Sequence, residues 1–152
     1  MNLLSNYQFK KCIVYFPTCA SVKHFYNLLQ HYQKTQNTES GFKLHSMHGQ
    51  LSTKARLRAL NSFDEGDHRY GKHILMTTDV AARGIDIPDV DLVIQRDPPT
   101  NPGNFLHRCC RTCRANKVGQ AIVMLSDSPE LKEDGYIEFM EVKGIKMSEM
   151  EA

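Results

Sequence analysis

The sequence predicts an α/β fold in which a mostly parallel sheet is sandwiched between two layers of helices. Short apolar runs alternate with segments whose apolar residues recur at helical spacing, and they do so along the whole chain. The apolar runs are nearly continuous, which is typical of strands buried on both faces of a parallel sheet. The chain has 152 residues, of which 41% are hydrophobic, and this suits one globular domain and excludes a disordered chain.

Five segments are predicted strands because they are short, apolar and bounded by polar residues, glycine or proline. They are residues 12–16, 42–47, 73–77, 91–95 and 120–125.

Four helices are predicted to follow the first, second, fourth and fifth strands, each with apolar residues at helical spacing. Each also has a residue suited to a helix start. These starting residues are Thr18, Ser52 or Thr53, Pro102 and Pro129. The last two helices are expected to end near Cys110 and Gly144, and the polar residues from Gln33 to Gly41 are predicted to form a loop.

Composition excludes several classes of protein. No apolar run reaches the ~20 residues of a membrane helix, and the first residues lack the layout of a signal peptide. The net charge of +2 creates no overall field that favours nucleic acid, so such a partner must be argued from local clusters. Five cysteines, three of them within residues 109–113, favour a reducing compartment over a secreted disulfide framework.

Two apparent motifs are better explained without a ligand. Residues 66–72 match most of a phosphate-binding P-loop, but His73 stands where the motif needs Ser or Thr, and the segment joins a helix to a strand. Residues 107–113 contain three cysteines and a histidine, which suggests a zinc knuckle. These ligands are too crowded for a structural zinc site and have arginines between them, so no metal site is predicted.

The segment after the third predicted strand is a candidate binding loop, because ligands of parallel sheets bind beyond the carboxyl ends of the strands. Asp79 is suited to cap a short helical turn whose free N–H groups face an anion. Gly84 lets the backbone turn back at close range, and Asp86 is placed to accept a hydrogen bond from a sugar hydroxyl. An ordinary capped loop is the alternative.

A cationic cluster follows the fourth predicted strand. Its members recur about every third residue and crowd one flank of a helix: His107, Arg108, Arg111, Arg114 and Lys117. Each like-charge pair costs a few tenths of a kcal/mol, so the cluster indicates a polyanionic partner. Arginine suits phosphate because its planar fork donates two hydrogen bonds. A solvated basic face is the alternative, and the nearby binding loop makes it the minor one.

These segments resemble the motifs of DEAD-box RNA helicases. Motif IV, the motif after the second strand, motif V and motif VI are matched in that order by residues 13–18, His48-Gly49 with Arg56, residues 78–86 and residues 107–114. Order and spacing agree over nearly the whole chain, which is therefore similar to the second, RecA-like domain of such a helicase, a three-layer sandwich. Residues 16–19 and 97–101 resemble the subfamily that acts in large ribosomal subunit assembly.

The resemblance implies a role for each matching residue. The RNA sugar-phosphate backbone would be held by Thr18, Gly49, Arg56 and Thr78. Asp86 would contact the ribose of ATP, with Gly84 as a nearby backbone contact. Arg111 and Arg114 would reach the γ-phosphate as arginine fingers. His107 and Arg108 would tie the two domains of the helicase around the attacking water.

The resemblance also implies a function for residues 1–152 as one domain of a longer helicase. The expected activity is ATP-dependent RNA unwinding in rRNA processing and large ribosomal subunit biogenesis, in the nucleus and nucleolus. The expected partners are pre-rRNA, pre-ribosomal particles and the N-terminal RecA-like domain, with no membrane. ATP with Mg²⁺ is the expected cofactor, and the N-terminal domain would hold most of the metal. Without a P-loop or an Asp-Glu-Ala-Asp box, the isolated domain is expected to be inactive.

Three residues depart from the family pattern. Thr53 stands where the family has glutamine, and Cys110 and Cys113 stand where motif VI has glycines. If either cysteine has a left-handed backbone, its side chain costs ~1–2 kcal/mol and swings the neighbouring arginines away. The alternative function is therefore a catalytically inert RNA-binding or scaffold module with a degenerate motif VI.

Overall fold

The computed structural model describes residues 7–35, 42–65, 71–79, 87–112, 119–126 and 135–150. All five predicted strands are present: β1 Lys11–Tyr15, β2 Phe42–Met47, β3 Lys72–Thr77, β4 Leu92–Gln95 and β5 Gln120–Val123. The four predicted helices are present as well: α1 Cys19–Thr35, α2 Thr53–Asp64, α3 Pro102–Cys109 and α4 Tyr136–Val142.

The strands form one sheet in the order β2-β3-β1-β4-β5, and each neighbouring pair is parallel. The predicted parallel sheet is confirmed. Because all strands run in the same direction, their carboxyl ends meet at one edge, where Tyr15 pairs with Thr77 on one side and Gln95 on the other. The segments that follow the strands are therefore brought together at this edge.

Helices cover both faces of the sheet, which confirms the three-layer sandwich. Alternate residues of β1 point to opposite faces, as the period of a strand requires. Cys12 and Val14 join the core on the α1 side, whereas Ile13 and Tyr15 join the core on the α2 side. Full burial of a side chain such as Ile13 contributes about 1.5–3 kcal/mol to the stability of the fold.

Side chains cap three of the helices at the predicted places. The Thr18 hydroxyl accepts a hydrogen bond from the Ser21 N–H at 3.0 Å, and the Ser52 hydroxyl accepts one from the Ala55 N–H at 3.2 Å. Asn101 caps α3 directly before Pro102. These caps fix where the helices leave the carboxyl edge of the sheet.

Some element ends differ from the predictions. Helix α1 continues to Thr35, because the Gln33 side chain donates to the Phe42 carbonyl oxygen at 2.9 Å and ties the last turn to β2. Strand β5 ends at Val123, and α4 begins at Tyr136. The predicted helix start at Pro129 lies outside the described residues.

Within the described ranges, no helix has both the length and the apolar character needed to cross a membrane.

Candidate functional site

An ion pair between a buried arginine and a partly exposed aspartate joins the segment after β3 to α3 at the carboxyl edge. Arg108 donates from Nε and Nη2 to the two carboxylate oxygens of Asp79, at 2.8 and 2.6 Å. Its Nη1 donates to the Gln95 side-chain oxygen at 3.0 Å and to the Asp97 carbonyl oxygen at 3.4 Å. Only 5% of Arg108 is exposed. This bidentate geometry is the strong form of an arginine–carboxylate pair.

The ring of Tyr15 forms the floor beneath this pair. The Arg108 guanidinium lies 5.0 Å from the ring centroid, within the range of a cation–π contact. Burial raises the pKa of the Tyr15 hydroxyl to about 12, although the charges of Arg111 and Arg108 oppose the shift. Tyr15 is therefore neutral at physiological pH and serves as a flat, uncharged support for the arginine.

Arg111 combines a fixed backbone with a side chain near the surface. Its carbonyl oxygen accepts a hydrogen bond from the Val90 N–H at 3.1 Å. Its Nη2 lies 2.6 Å from Nε2 of His107. Because a guanidinium has no acceptor, His107 accepts this bond through Nε2. The partner of Arg111 is thus an imidazole rather than a carboxylate, which leaves its positive charge available to an anion.

Cys110 fits the local backbone without strain. Its φ of −60° and ψ of −6° lie in the right-handed helical region, which any residue can adopt. Cys110 therefore does not have the left-handed conformation that would displace the neighbouring arginines. The Cys110 side chain is exposed, and the neighbouring Cys109 sulfur accepts a hydrogen bond from Gln95 at 3.5 Å. Cys113 lies outside the described residues.

Gly119 directly precedes β5 and packs against Thr112, the residue that follows Arg111. A Cβ atom at Gly119 would lie 2.1 Å from Cβ and 2.4 Å from the carbonyl oxygen of Thr112. No side chain fits at such distances, so only glycine permits this packing. Thr112 directly follows Arg111, and Gly119 therefore helps to position that arginine.

Three of the residues predicted to bind RNA lie at the β2–β3–β1 part of the carboxyl edge. Thr18 is exposed at the start of α1, and Gly49 is exposed in the turn after β2. A Cβ at Gly49 would lie 3.8 Å from the Cys19 sulfur, so these two segments are neighbours. Thr78 directly follows β3 and is buried, with 5% of its surface exposed.

Arg56, the fourth of these residues, lies in the first turn of α2. Its Nη2 is 3.4 Å from the Thr53 hydroxyl, a long contact, and its Nε is buried without a hydrogen-bond partner among the described residues. Nδ1 of His48 is likewise buried and unpartnered in the described part of the chain. An unsatisfied buried donor costs about 1–3 kcal/mol, so Arg56 gains from an external acceptor.

Three predicted site residues lie outside the described residues: Gly84, Asp86 and Arg114. The structure adds Gln95, Tyr15 and Gly119, which sequence reasoning missed. Asp79 was predicted to cap a helical turn, and the rest of that turn lies outside the described residues; both Asp79 oxygens accept hydrogen bonds from Arg108. The sequence signal for that pair was an acidic residue directly after the third predicted strand and a basic residue in the helix after the fourth.

Comparison with known proteins shows the family. The model of the helicase conserved C-terminal domain matches residues 1–116. An ATP-dependent rRNA helicase of Scheffersomyces stipitis, SPB4, is 64% identical over 150 residues, which cover 99% of this chain and 24% of the relative. The chain therefore spans about a quarter of the length of the curated relatives that it matches.

Solved structures agree with this assignment. The C-terminal domain of the DEAD-box protein Dbp5 is similar with a TM-score of 0.75 and 30% identity, covering 97% of this chain and 78% of that one. Domain 2 of the DEAD-box helicase Mss116p, solved bound to an RNA duplex, has a TM-score of 0.72 and 27% identity, covering 97% and 52%. The chain thus belongs to the helicase conserved C-terminal domain family, as the RecA-like C-terminal domain of a DEAD-box protein.

Proposed function

We propose that this domain is the C-terminal half of an ATP-dependent RNA helicase, which binds the RNA backbone and supplies arginine fingers for ATP hydrolysis. One observation carries the proposal most strongly. Arg111 follows α3 on a backbone fixed by the Val90 N–H just before β4, with its charge unpaired by any carboxylate of the described residues. Its charge acts on the hydroxyl of Tyr15, the last residue of β1.

In the proposed mechanism, Arg111 and Arg114 donate hydrogen bonds to the γ-phosphate oxygens. An arginine finger stabilises the charge that develops as the phosphoryl group departs. Arg108 is buried in its pair with Asp79, so its part is to hold α3 and thereby Arg111 in place. His107 orients the Arg111 side chain through their 2.6 Å hydrogen bond, close to the water that would attack.

The remaining nucleotide contacts come from the loop after β3 and from another domain. Gly84 and Asp86 are proposed to contact the ribose of ATP. Mg²⁺ would neutralise charge on the phosphates. As the family resemblance implies, the ion would be held mainly by the N-terminal domain.

RNA is proposed to lie across Thr18, Gly49, Arg56 and Thr78. Backbone amides, hydroxyls and a guanidinium recognise phosphate and sugar rather than base edges, so binding would be independent of sequence. Arg56 supports this track because its planar guanidinium suits a phosphate oxygen. The duplex bound by domain 2 of Mss116p supports RNA as the ligand class.

The biological setting is proposed from the relatives. Their names describe ATP-dependent rRNA helicases, which supports pre-rRNA as the RNA and pre-ribosomal particles as the partners. A role in rRNA processing and large ribosomal subunit biogenesis would take place in the nucleus and nucleolus. Residues 1–152 would form one domain that closes on its own N-terminal RecA-like domain.

The alternative is an inert RNA-binding or scaffold module in which Cys110 and Cys113 replace the motif VI glycines. The unstrained backbone at Cys110 favours the enzyme, because this cysteine does not force the arginines away. Each cysteine still adds a side chain near the proposed phosphate site. Restoring the glycines therefore separates the two functions.

The decisive experiment is a chimera. Residues 1–152 would replace the matching segment of the Scheffersomyces stipitis relative, which supplies the other domain. We expect RNA-stimulated ATP hydrolysis by the chimera and none by the 152-residue chain alone. RNA-stimulated turnover by the isolated chain would refute the split site. A chimera that binds RNA but stays inactive even with Cys110→Gly and Cys113→Gly would identify the inert module.

A further inference from the structure

The positive charge of this domain is concentrated in its first part. Residues 1–63 contain eight lysines or arginines and one acidic residue, Glu39, whereas residues 64–152 contain eleven basic and sixteen acidic residues. The first part supplies α1 and α2, which cover opposite faces of the sheet and both contact its edge strand β2. A net charge of +2 therefore conceals a strongly basic end of the molecule.

Polar residues form a continuous line along the solvent face of α1, named here the α1 stripe. Its members are Lys23, Asn27, His31 and Lys34, all of them exposed. Residues spaced by three, four, seven and eleven positions share one helix face, and the buried Val22 lies on another face. At 1.5 Å per residue, the stripe is about 16 Å long from Lys23 to Lys34.

Neither lysine of the α1 stripe is paired with an acidic side chain of the described residues. Lys23 donates to the neutral Gln50 side chain at 2.5 Å. Among the described residues, ion pairs are made by Lys11, Arg96 and Arg108, and none involves a lysine of α1. Helix α1 itself contains no acidic residue.

The α1 stripe begins at the proposed RNA track. Lys23 lies in the second turn after Thr18, and Gln50 directly follows Gly49. The charge of Lys23 also helps to lower the pKa of His48, which places the ammonium near that turn. Because α1 runs from the carboxyl edge back toward the start of β2, the stripe leads away from the track across the outside of the domain.

We infer that the α1 stripe is a second RNA surface, which binds the sugar-phosphate backbone of a segment extending beyond the core track. Lysines at both ends would contact phosphates, and the asparagine and histidine between them would contact phosphate and ribose oxygens. This inference rests on the proposed function, because the stripe is assigned to the same RNA that occupies the track.

Binding of the 152-residue chain to matched RNAs, measured by fluorescence anisotropy at several salt concentrations, tests the inference. The probes are a six-nucleotide single strand and the same strand extended by ten nucleotides, either single-stranded or as a duplex. The test variant is Lys23→Gln with Lys34→Gln. The matched control is Lys143→Gln with Lys146→Gln, which removes the same charge from exposed lysines elsewhere.

We expect the unsubstituted chain to bind an extended RNA more tightly than the short one. The test variant should lose that gain and keep its affinity for the short RNA within about twofold. For a single-stranded extension, the slope of log affinity against log salt concentration should be smaller by about 1.4, because two phosphate contacts at ~0.7 each are lost. The control variant should retain the gain. The extension that gives the gain in affinity, single-stranded or duplex, identifies the form of RNA that the stripe binds.

Three outcomes would overturn the inference. The extension adds no affinity, the test variant weakens both RNAs equally, or the control variant weakens binding of the extended RNA as much as the test variant does. If the unsubstituted chain binds the short RNA, the proposed RNA track stands whichever of these occurs. If it binds neither RNA, the proposed RNA track fails together with the stripe.

Discussion

The two parts of the carboxyl edge are built on different principles. On the β4 side, Arg108 is buried, bonded to Asp79 and Gln95, and supported by the Tyr15 ring. On the β2 side, Arg56 has one long hydrogen bond and an unpartnered Nε. One region satisfies its polar groups internally, and the other leaves them for a ligand.

The difference follows from what each region is proposed to do. Stabilising a transition state needs a donor held in place before the reaction, because donors that must reorganise contribute less. Following an RNA backbone needs charge and hydroxyls that adapt to many sequences. A rigid arginine support therefore stands beside an adaptable basic surface at one edge of one sheet.

The largest expected effect comes from Arg111→Ala in the chimera. A finger acts mainly on charge that develops in the transition state, so RNA-stimulated turnover should fall ~10³–10⁵-fold, or ~4–7 kcal/mol of barrier. ATP affinity should change little, and Arg111→Lys should rescue poorly because it lacks the planar fork. Steady-state ATPase assays measure this with the native cysteines and with both glycines restored. An active glycine background that tolerates Arg111→Ala would show that the finger assignment is wrong.

The rigid region should lose stability when its ion pair is broken. Asp79→Ala leaves the buried Arg108 charge without its carboxylate, which is partly exposed, so the free energy of unfolding should drop by about 1–3 kcal/mol. Urea denaturation of the 152-residue chain measures the loss. Arg96→Ala is the control, because it removes an exposed 3.5 Å pair with Asp97 that is worth at most about 1 kcal/mol. If both variants lose the same free energy of unfolding, the Arg108–Asp79 pair contributes no more to stability than the exposed pair.

Gly119→Ala tests the close packing behind Arg111. The new methyl group would meet the Thr112 backbone at 2.4 Å, so the chain must shift, at a cost of about 1–3 kcal/mol. Gly49→Ala is the matched control, because its methyl group would meet only ordinary contacts. We expect denaturation to show a loss of stability for the first variant alone. No loss at Gly119 would contradict the packing described.

The smallest expected effect is the pH dependence contributed by His48. Burial, aided by the charge of Lys23, lowers the pKa of His48 in the folded state below its ordinary value of about 6.5. Below that pH the unfolded chain binds the proton more readily, so the stability contributed by neutral His48 declines as pH falls and is unaffected above. Thermal unfolding between pH 5 and 8 should show a weaker decline for His48→Asn. An identical decline would remove His48 as the cause.

Most of the fold was predictable from local patterns. Apolar runs located every strand, and Thr18, Ser52 and Asn101 cap helices that follow strand ends. Helix α1 is longer than predicted because the Gln33 side chain donates a hydrogen bond to the Phe42 carbonyl oxygen, nine residues away. Hydrophobic periodicity carries no information about such a contact.

The candidate site was predictable only in part, because its internal contacts depend on the assembled sheet. The Arg108–Asp79 pair joins residues 29 positions apart, and the Gly119–Thr112 contact depends on how closely two segments approach. Gln95 was assigned to a buried strand with no polar role. Motif resemblance identified Arg111 and the RNA residues, and their roles stay predictions.

The division of labour between the two regions is tested most directly by titrating RNA into the ATPase reaction of the chimera, with ATP saturating. Arg56→Ala should raise the RNA concentration needed for half-maximal activity and leave the maximal turnover close to that of the unsubstituted chimera. Arg111→Ala should abolish turnover while RNA affinity, measured by anisotropy in the same buffer, stays unchanged. If Arg56→Ala lowers the maximum without changing the half-saturating RNA concentration, or Arg111→Ala weakens RNA binding and spares turnover, the account is contradicted.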